Sequence, residues 1–424
     1  MYDNLKGKKL LVVGSDETTA NIVAAARELG VYVIAVDGKP VSVQTPAKNM
    51  ADEAWDIDYS DTAAVGEKCL CAGVDGVLAG YSEFRVLAAC EIANYIGTPF
   101  YATREQIDLT RDKRLFKDAC QKYGINVPVD YCYAYPLSEE QIGEVRYPVI
   151  VKPADYGGRK GISVCYDRGE LERGVELAYK LSKAGKVIVE DYIVGTEISA
   201  VYTISDGTVS LSCFNEKYLN AENGRTNGLC DLTVAPSNYY QLYLQTTDSR
   251  IRAFLEGIGA KDGVAFFQGI AREADIYIFE MGYRLNGNND YQAAEKYNDI
   301  SYMKMLISHS LTGDMGDDLG KDEPVYPEYN CTFKLYAHAG TIGRLNYQEL
   351  EGCESIDSIH ECAGVGARIV EDGSTQQMVL SFKFSAKTTG EIRDLLDYIQ
   401  DNVCVEDANG KSMLFKRFDT KRIK

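Results

Sequence analysis

Lys152 closes the apolar run Val149-Ile150-Val151 and is followed by Pro153 and by the stretch 155–161, in which Gly157, Gly158 and Gly161 flank Arg159 and Lys160. A lysine at a strand end is anchored by its sheet and offers its ammonium to phosphate oxygens as a point charge. Glycine-rich backbone after it can turn several N–H groups inward over the same oxygens. This is not a Gly-x-x-x-x-Gly-Lys-Ser/Thr loop, because the lysine precedes the glycines. Taken alone, the stretch reads equally as an ordinary hairpin beside an exposed lysine.

A nucleotide needs more than phosphate contacts, and two further stretches have the residue types for it. VIVEDYIVGTEISA ends a run with Glu190, passes through Asp191-Tyr192-Ile193, whose backbone can pair with an adenine edge, and reaches Glu197, where a carboxylate can accept from ribose hydroxyls. Two later apolar runs carry Gln268 and Glu280. Oxygens facing each other across a hairpin suit a magnesium ion that keeps several waters and bridges phosphates. Arg284 follows in EMGYRLNG. Plainer readings stay open for each: Glu190 and Glu197 as solvated strand-end charges, Gln268 and Glu280 as an unrelated cross-strand pair.

The elements that must position these residues follow from periodicity. The first hundred or so residues alternate strand and helix: KLLVVG, a helix over 18–29, VYVIAVD, a helix over 61–72, DGVLAG and a helix over 82–96. Such alternation specifies a parallel sheet with crossover helices. Its first turn, GSDETT, lacks the Gly-x-Gly-x-x-Gly of a dinucleotide site. Two helices follow, one ending near Leu109 and one over 112–123, stopped by Gly124 and Pro128. From 129 to 215 the pattern becomes one of antiparallel or mixed strands around a helix over 168–184, with an Asp-Gly hairpin in ISDGTV. A helix over 249–257 precedes the strands GVAFFQGIAR and IYIFEMG. The acidic, Gly/Pro-rich segment 312–330 reads as a boundary loop, and the remainder as strands with one helix over 389–402.

Composition narrows the class. With 424 residues, 45% hydrophobic and 25% charged, the chain can fill several cores. A formal charge of −18 excludes a general nucleic-acid or membrane-surface binder, which needs a basic face. The 12 cysteines form no Cys-x-x-Cys pair and there are only 3 histidines, so thiolate metal chemistry is not expected and reduced thiols are. No apolar run is long enough for a signal or a membrane span, and a cytoplasmic protein is expected.

In order and spacing, TRDKRLFK with Lys113, VIVKP with Lys152, the lid YGGRKGIS, the hinge VEDYIVGTE, and then Gln268, Glu280 and Arg284 resemble the ATP-grasp superfamily over about residues 5–310. The C-terminal stretch is more loosely similar to the branch of the carbamoyl-phosphate synthetase large chain and bacterial amino-acid ligases. The resemblance implies an α/β fold, α+β in its grasp part. An N-terminal doubly wound parallel-sheet domain would span 1–111, and two α+β subdomains 112–188 and 189–320. A small C-terminal α+β portion would span 321–424.

It further implies that Lys113, Lys152, Gly157, Gly158, Arg159, Lys160, Glu190, Tyr192, Ile193 and Glu197 bind ATP, and that Gln268 and Glu280 bind Mg2+ or Mn2+. Arg284 and Lys152 would be catalytic, and Lys217, Arg225, Arg284 and Glu83 would meet the substrate. The implied reaction activates a small carboxylic acid as an acyl phosphate, which an amine then displaces, releasing ADP; a homodimer is compatible with this. The departure is Gly282, where the family's Glu-x-Asn-x-Arg has asparagine; Asn286, Asn288 or Asn289 are candidate substitutes. Two other readings stand beside the ligase: a nucleotide-binding protein with lost catalysis, and a ligase using bicarbonate.

Overall fold

The computed structural model describes residues 2–42, 44–132, 135–154, 161–222, 225–288, 290–316 and 319–424. The chain opens with β1 (Lys9–Val13), α1 (Glu17–Glu28), β2 (Tyr32–Val36), α2 (Pro46–Met50), β3 (Glu53–Trp55), α3 (Thr62–Ala72), β4 (Gly76–Leu78) and α4 (Glu83–Ile96). The strands lie in the order β3-β2-β1-β4, all parallel, as the alternation requires. Asp16 starts α1 by accepting from the Thr19 N–H at 3.0 Å, and left-handed Gly73 and Gly97 end α3 and α4.

Helices α5 (Arg104–Arg111) and α6 (Lys113–Lys122) lead into β5 (Asp130–Cys132), α7 (Glu139–Glu144), β6 (Val149–Pro153), β7 (Ser163–Cys165), α8 (Arg168–Leu181) and β8 (Val187–Asp191). These four strands form an antiparallel sheet, β5-β8-β6-β7. Cys132, Val149, Val151, Leu171, Val175 and Val189 give it a core of its own. This small lobe is thus a separately packed body.

A second sheet begins after a short hinge: β9 (Thr196–Ser205), β10 (Thr208–Glu222), β11 (Arg225–Ala235), α9 (Tyr240–Tyr243), α10 (Ser249–Gly257), β12 (Gly263–Arg272), β13 (Asp275–Gly282), α11 (Tyr291–Asn298) and α12 (Tyr302–Thr312). Asp206 and Gly207, both at positive φ, make the expected two-residue turn between β9 and β10. The remainder comprises β14 (Tyr329–Tyr336), β15 (Gly340–Asn346), β16 (Ile356–Glu361), β17 (Arg368–Ile369), β18 (Met378–Ala386), α13 (Thr389–Asn402) and β19 (Cys404–Asp407). Eight strands join as β13-β12-β9-β10-β11-β14-β18-β16, so the C-terminal strands continue the same sheet. A three-stranded sheet, β17-β15-β19, stands beside them.

Several elements differ from the periodic reading. The stretch from 216 to 235, to which that reading assigns no element, is part of the long β10–β11 hairpin, where Tyr218 and Leu232 bury apolar side chains. Helix α8 stops at Leu181, three residues short of the expected end. Helices α11 and α12 are absent from that reading; α12 is buried along nearly its whole length, so it lacks the polar face that marks a surface helix. All 12 cysteines are free thiols. Among the described residues no helix is long and apolar enough to cross a membrane.

One large core ties the parallel sheet to β9, β10, β12, β13 and α12. Phe116 on α6 reaches it edge-on to Phe254, with ring centroids 6.0 Å apart, and tilted against Phe267 at 6.5 Å. Gly76 on β4 lies directly under α12, where a Cβ would fall against the Ser310 carbonyl, 2.7 Å from its carbon. Helix backbone cannot yield as a side chain does. Gly76→Ala is therefore expected to destabilise the protein by about 1–3 kcal/mol through overpacking, read as a lowered urea midpoint with an unchanged slope.

Candidate active site

The small lobe brings its charges to one point. Ile150 faces Glu190 and Lys152 faces Ile188 in the β6–β8 register, so Lys152 and Glu190 lie on one face, diagonal to each other. The Lys152 ammonium donates to Glu190 Oε1, and Lys117, from α6, donates to Glu190 Oε2. Lys117 also reaches Asp130 Oδ1 at 2.5 Å. Lys117, Glu190 and Lys152 are 2%, 3% and 7% exposed, so these are ionic contacts inside the protein.

Burial alone would raise the Glu190 carboxyl, but the ammoniums of Lys152 and Lys117 overrule it and hold the group well below its ordinary range. Lys152 is lowered, first by burial; Glu190 pulls it back up, while the charges of Lys113 and Lys117 depress it further. Lys113 therefore stands close to Lys152. Three ammoniums, Lys113, Lys117 and Lys152, meet two carboxylates, Glu190 and Asp130, which leaves the corner with an excess positive charge for an anion. Asp112 begins α6 by accepting from Arg114 and Leu115 N–H, and so sets Lys113 at its first turn. Lys117 is absent from the sequence reading, although its spacing of one helical turn from Lys113 puts both on one face.

On the large sheet the cross-strand rows can be followed residue by residue. Glu280 pairs with Gln268, Gln268 with Ser199, and Ser199 with Asn215. In the next row Glu197 pairs with Lys217 on the same face. Lys217 is thus a buried strand residue beside Glu197, 8% exposed. Gln268 and Glu280 are partly exposed, while the Ser199 Oγ and Asn215 Oδ1 beside them are buried without a hydrogen-bond partner. A divalent cation fits this row, with Glu280 for charge and Gln268 and Ser199 as neutral oxygens. Among the described residues no cluster of three His, Cys, Asp or Glu offers an alternative.

Arg284 donates from Nε to Glu83 Oε1 at 2.8 Å and from one terminal nitrogen to the Leu285 carbonyl at 2.8 Å; its other terminal nitrogen also meets Glu83. Its plane lies over Phe266, 5.0 Å from the ring centroid. Of five N–H donors, two remain. Glu83, at the carboxyl end of the parallel sheet, is therefore a residue that orients Arg284. Gly282 has a physical reason: a Cβ there would enter the Phe266 ring, 2.6 Å from Cζ. The ring fills the space into which any side chain at 282 would start. Asn286 instead donates to Asp290 at 2.6 Å, and Asn288 accepts from Lys334 at 3.2 Å; Asn289 lies outside the described residues.

The hinge 192–195 joins the lobes. Its Asp191 and Tyr192 N–H groups are given to the Val129 and Pro148 carbonyls at 2.9 and 3.1 Å, and Ile193 is buried. A cavity of about 540 Å³ beside the hinge is lined by Tyr192, Val194, Thr196, Tyr239 and Arg272. It opens on the sheet face opposite Glu197, and neither the lysines nor Gln268 or Glu280 line it. Gly157, Gly158, Arg159 and Lys160 lie outside the described residues, as does the side chain of Arg225.

The family described as D-ala D-ala ligase C-terminus matches residues 134–222, from the small lobe through β10. The large chain of carbamoyl phosphate synthase from Clostridium beijerinckii is 24% identical over 420 residues, covering 92% of this chain and 37% of that protein. The chain thus spans about a third of the length of the curated relatives it matches. The crystal structure of L-amino acid ligase from Bacillus licheniformis superposes with a TM-score of 0.80 at 16% identity, covering 95% of this chain and 99% of that one. The biotin carboxylase domain of 2-oxoglutarate carboxylase from Hydrogenobacter thermophilus, a dimer solved with MgADP, ADP and bicarbonate, gives 0.74 at 19% identity over 94% of this chain and 90% of that one. The chain has the ATP-grasp ligase fold and is distantly related to carbamoyl phosphate synthase large chains.

Two outcomes follow from this geometry. Glu190→Gln leaves two buried ammoniums without their carboxylate and should cost about 3–5 kcal/mol at neutral pH. Because the folded carboxyl is depressed, its contribution is present above its ordinary value of 4.5 and lost as the pH falls below it; urea midpoints of wild type and Glu190→Gln should converge on acidification. Gly282→Asn should cost about 1–3 kcal/mol in the wild type, and measurably less in a Phe266→Ala background, where the ring is gone; thermal unfolding of the four proteins closes that cycle.

Proposed function

We propose that the protein is an ATP-dependent carboxylate–amine ligase that activates a small carboxylic acid as an acyl phosphate, forms an amide or peptide-like bond, and releases ADP. The observation that carries this reading is the meeting of Lys117 and Lys152 at buried Glu190, with the charge of Lys113 bearing on Lys152, in a chain whose other lobe carries Glu280, Gln268 and Ser199 in one row. Its support from relatives is the fold shared with an L-amino acid ligase and with a carboxylase domain solved with MgADP. The same dimeric domain motivates a homodimer.

In this reaction Lys152 and Lys113 hold the triphosphate, with Glu190 fixing the Lys152 ammonium until phosphate oxygens arrive. Gln268, Glu280 and Ser199 would hold a divalent cation, which when bound supplies charge neutralisation for the phosphates. Glu197 is placed to accept from the ribose. The substrate carboxylate oxygen attacks the γ-phosphorus, the bond to the β-bridging oxygen breaks, and ADP leaves. The amine nitrogen then attacks the acyl carbon and expels phosphate, losing a proton to solvent or phosphate. Arg284, aimed by Glu83, turns its two remaining N–H groups toward the oxyanion of that step. Positioning and charge compensation suffice for phosphoryl transfer, which asks little covalent chemistry of the protein.

A nucleotide-binding protein without catalysis is the second reading, favoured by the Phe266 ring in the place of the asparagine side chain. ADP release in the presence of ATP, magnesium and pooled acids and amines separates the two. The ligase reading expects ADP release that requires both an acid and an amine, with Lys152→Ala weakening ATP binding by on the order of 2 kcal/mol. Tight ATP binding with no release under any mixture would establish the second reading instead.

A further inference from the structure

The reaction assigned above leaves the face of the large sheet beyond Arg284 undescribed. Residues 283–290 run from Arg284 to the start of α11, and two lysines of the C-terminal strands close on the far side of that loop. Lys334, on β14, donates to Asn288 Oδ1 at 3.2 Å, and Lys383, on β18, donates to Gln292 Oε1 at 2.5 Å. Register makes them neighbours: Thr332 faces Lys383, and Lys334 is the next residue of β14 on that face. The row is the one that carries Glu197, running Glu197, Lys217, Thr233, Thr332, Lys383 across five strands.

The two lysines are therefore on the ligand-facing side of the sheet. Among the described residues Lys334 makes no ion pair. Lys383 is pushed down to about 8, first by burial, with Asp290 raising it and the Lys334 charge lowering it again. Asp290 keeps its charge while accepting from Asn286 at 2.6 Å and from Asn215 at 3.4 Å, and Asp357, which also raises Lys383, is paired with Lys296, so one carboxylate is left against two ammoniums. Two like charges held side by side on one sheet face are stabilised by an anion that reaches both. Arg284 and Asn288 are four residues apart, so their Cα atoms are separated by at most about 14 Å.

We propose that Lys334 and Lys383 form an anion subsite on this face of the sheet, on the far side of the 283–290 loop from Arg284, and that one of the two substrates carries a second anionic group, carboxylate or phosphate, that binds there. This rests on the ligase reading for what reacts at Arg284, but the subsite itself is defined by the two strands. The anion belongs either to the far end of the acid or to the amine.

The test uses matched pairs that differ only in distal charge: amino acids against their carboxamides as amines, and diacids and phosphorylated acids against their neutral analogues as acids. ADP release and calorimetric binding, both with ATP or a non-hydrolysable analogue and magnesium, are compared for wild type, Lys334→Gln, Lys383→Gln and the double variant. The half-exposed Lys334 provides a folded variant should Lys383→Gln not fold. At least one charged member is expected to be preferred by about tenfold or more. The substitutions should remove that preference through KM, with ATP affinity unchanged, and the arm showing it tells acid from amine. Absence of any charge preference in wild type, or a preference that survives the double substitution, overturns the subsite. ADP release without charge preference sinks the subsite and leaves the ligase reading standing. Charge-selective binding without ADP release under any mixture does the reverse.

Discussion

A carboxylate buried between two ammoniums, Glu190 with Lys117 and Lys152, ties together parts of the chain that have no common core. Glu190 and Lys152 belong to the small lobe, whose apolar interior is its own. Lys117 sits on α6 next to Phe116, which is packed into the main core. Desolvating three charges is costly, and burial of such a group is rarely retained for stability alone. Here the arrangement keeps a lysine beside a second and third lysine without letting them repel each other apart. With three ammoniums set against two carboxylates, the corner still keeps one positive charge in excess.

The large sheet does the complementary task by regularity. Because side chains two apart along a strand share a face, one row of cross-strand pairs carries Glu280, Gln268, Ser199 and Asn215, and the next carries Glu197 and Lys217. Nothing beyond strand register is required to align the oxygens of one row with the carboxylate of the next. The sheet then runs on without interruption into the C-terminal strands, so the same face extends to Lys383. Arg284 stands at the margin of this face, where the parallel sheet contributes Glu83.

Much of this was legible in the sequence because it rests on local patterns. Alternating apolar runs gave the parallel sheet, Asp-Gly gave the β9–β10 turn, and α10 and α13 fall where their periodicity placed them. Lys152, Glu190, Gln268 and Glu280 stand out as polar residues in otherwise apolar strands. What stayed hidden depends on contacts distant in sequence. Lys117 looks like any helix lysine until Glu190, 73 residues on, is brought to it. The Phe266–Gly282 complementarity needs the β12–β13 register. Helix α12 lacks a polar face to announce it, since it is enclosed on all sides. The pairing of Glu83 with Arg284 spans 201 residues and two sheets.

The continuity of the eight-stranded sheet bears on how the protein can be divided. Strand β11, 11 residues long, gives one side to β10 and the other to β14. A fragment ending after α12 would keep the small lobe, the hinge and the row of Gln268 and Glu280, yet it would strip the backbone donors and acceptors of β11 of their partner. Such a bare margin recruits strands from other molecules. The C-terminal segment thus acts as a selvedge: it finishes the weave, and cutting it away would turn a self-contained fold into one that seeks company.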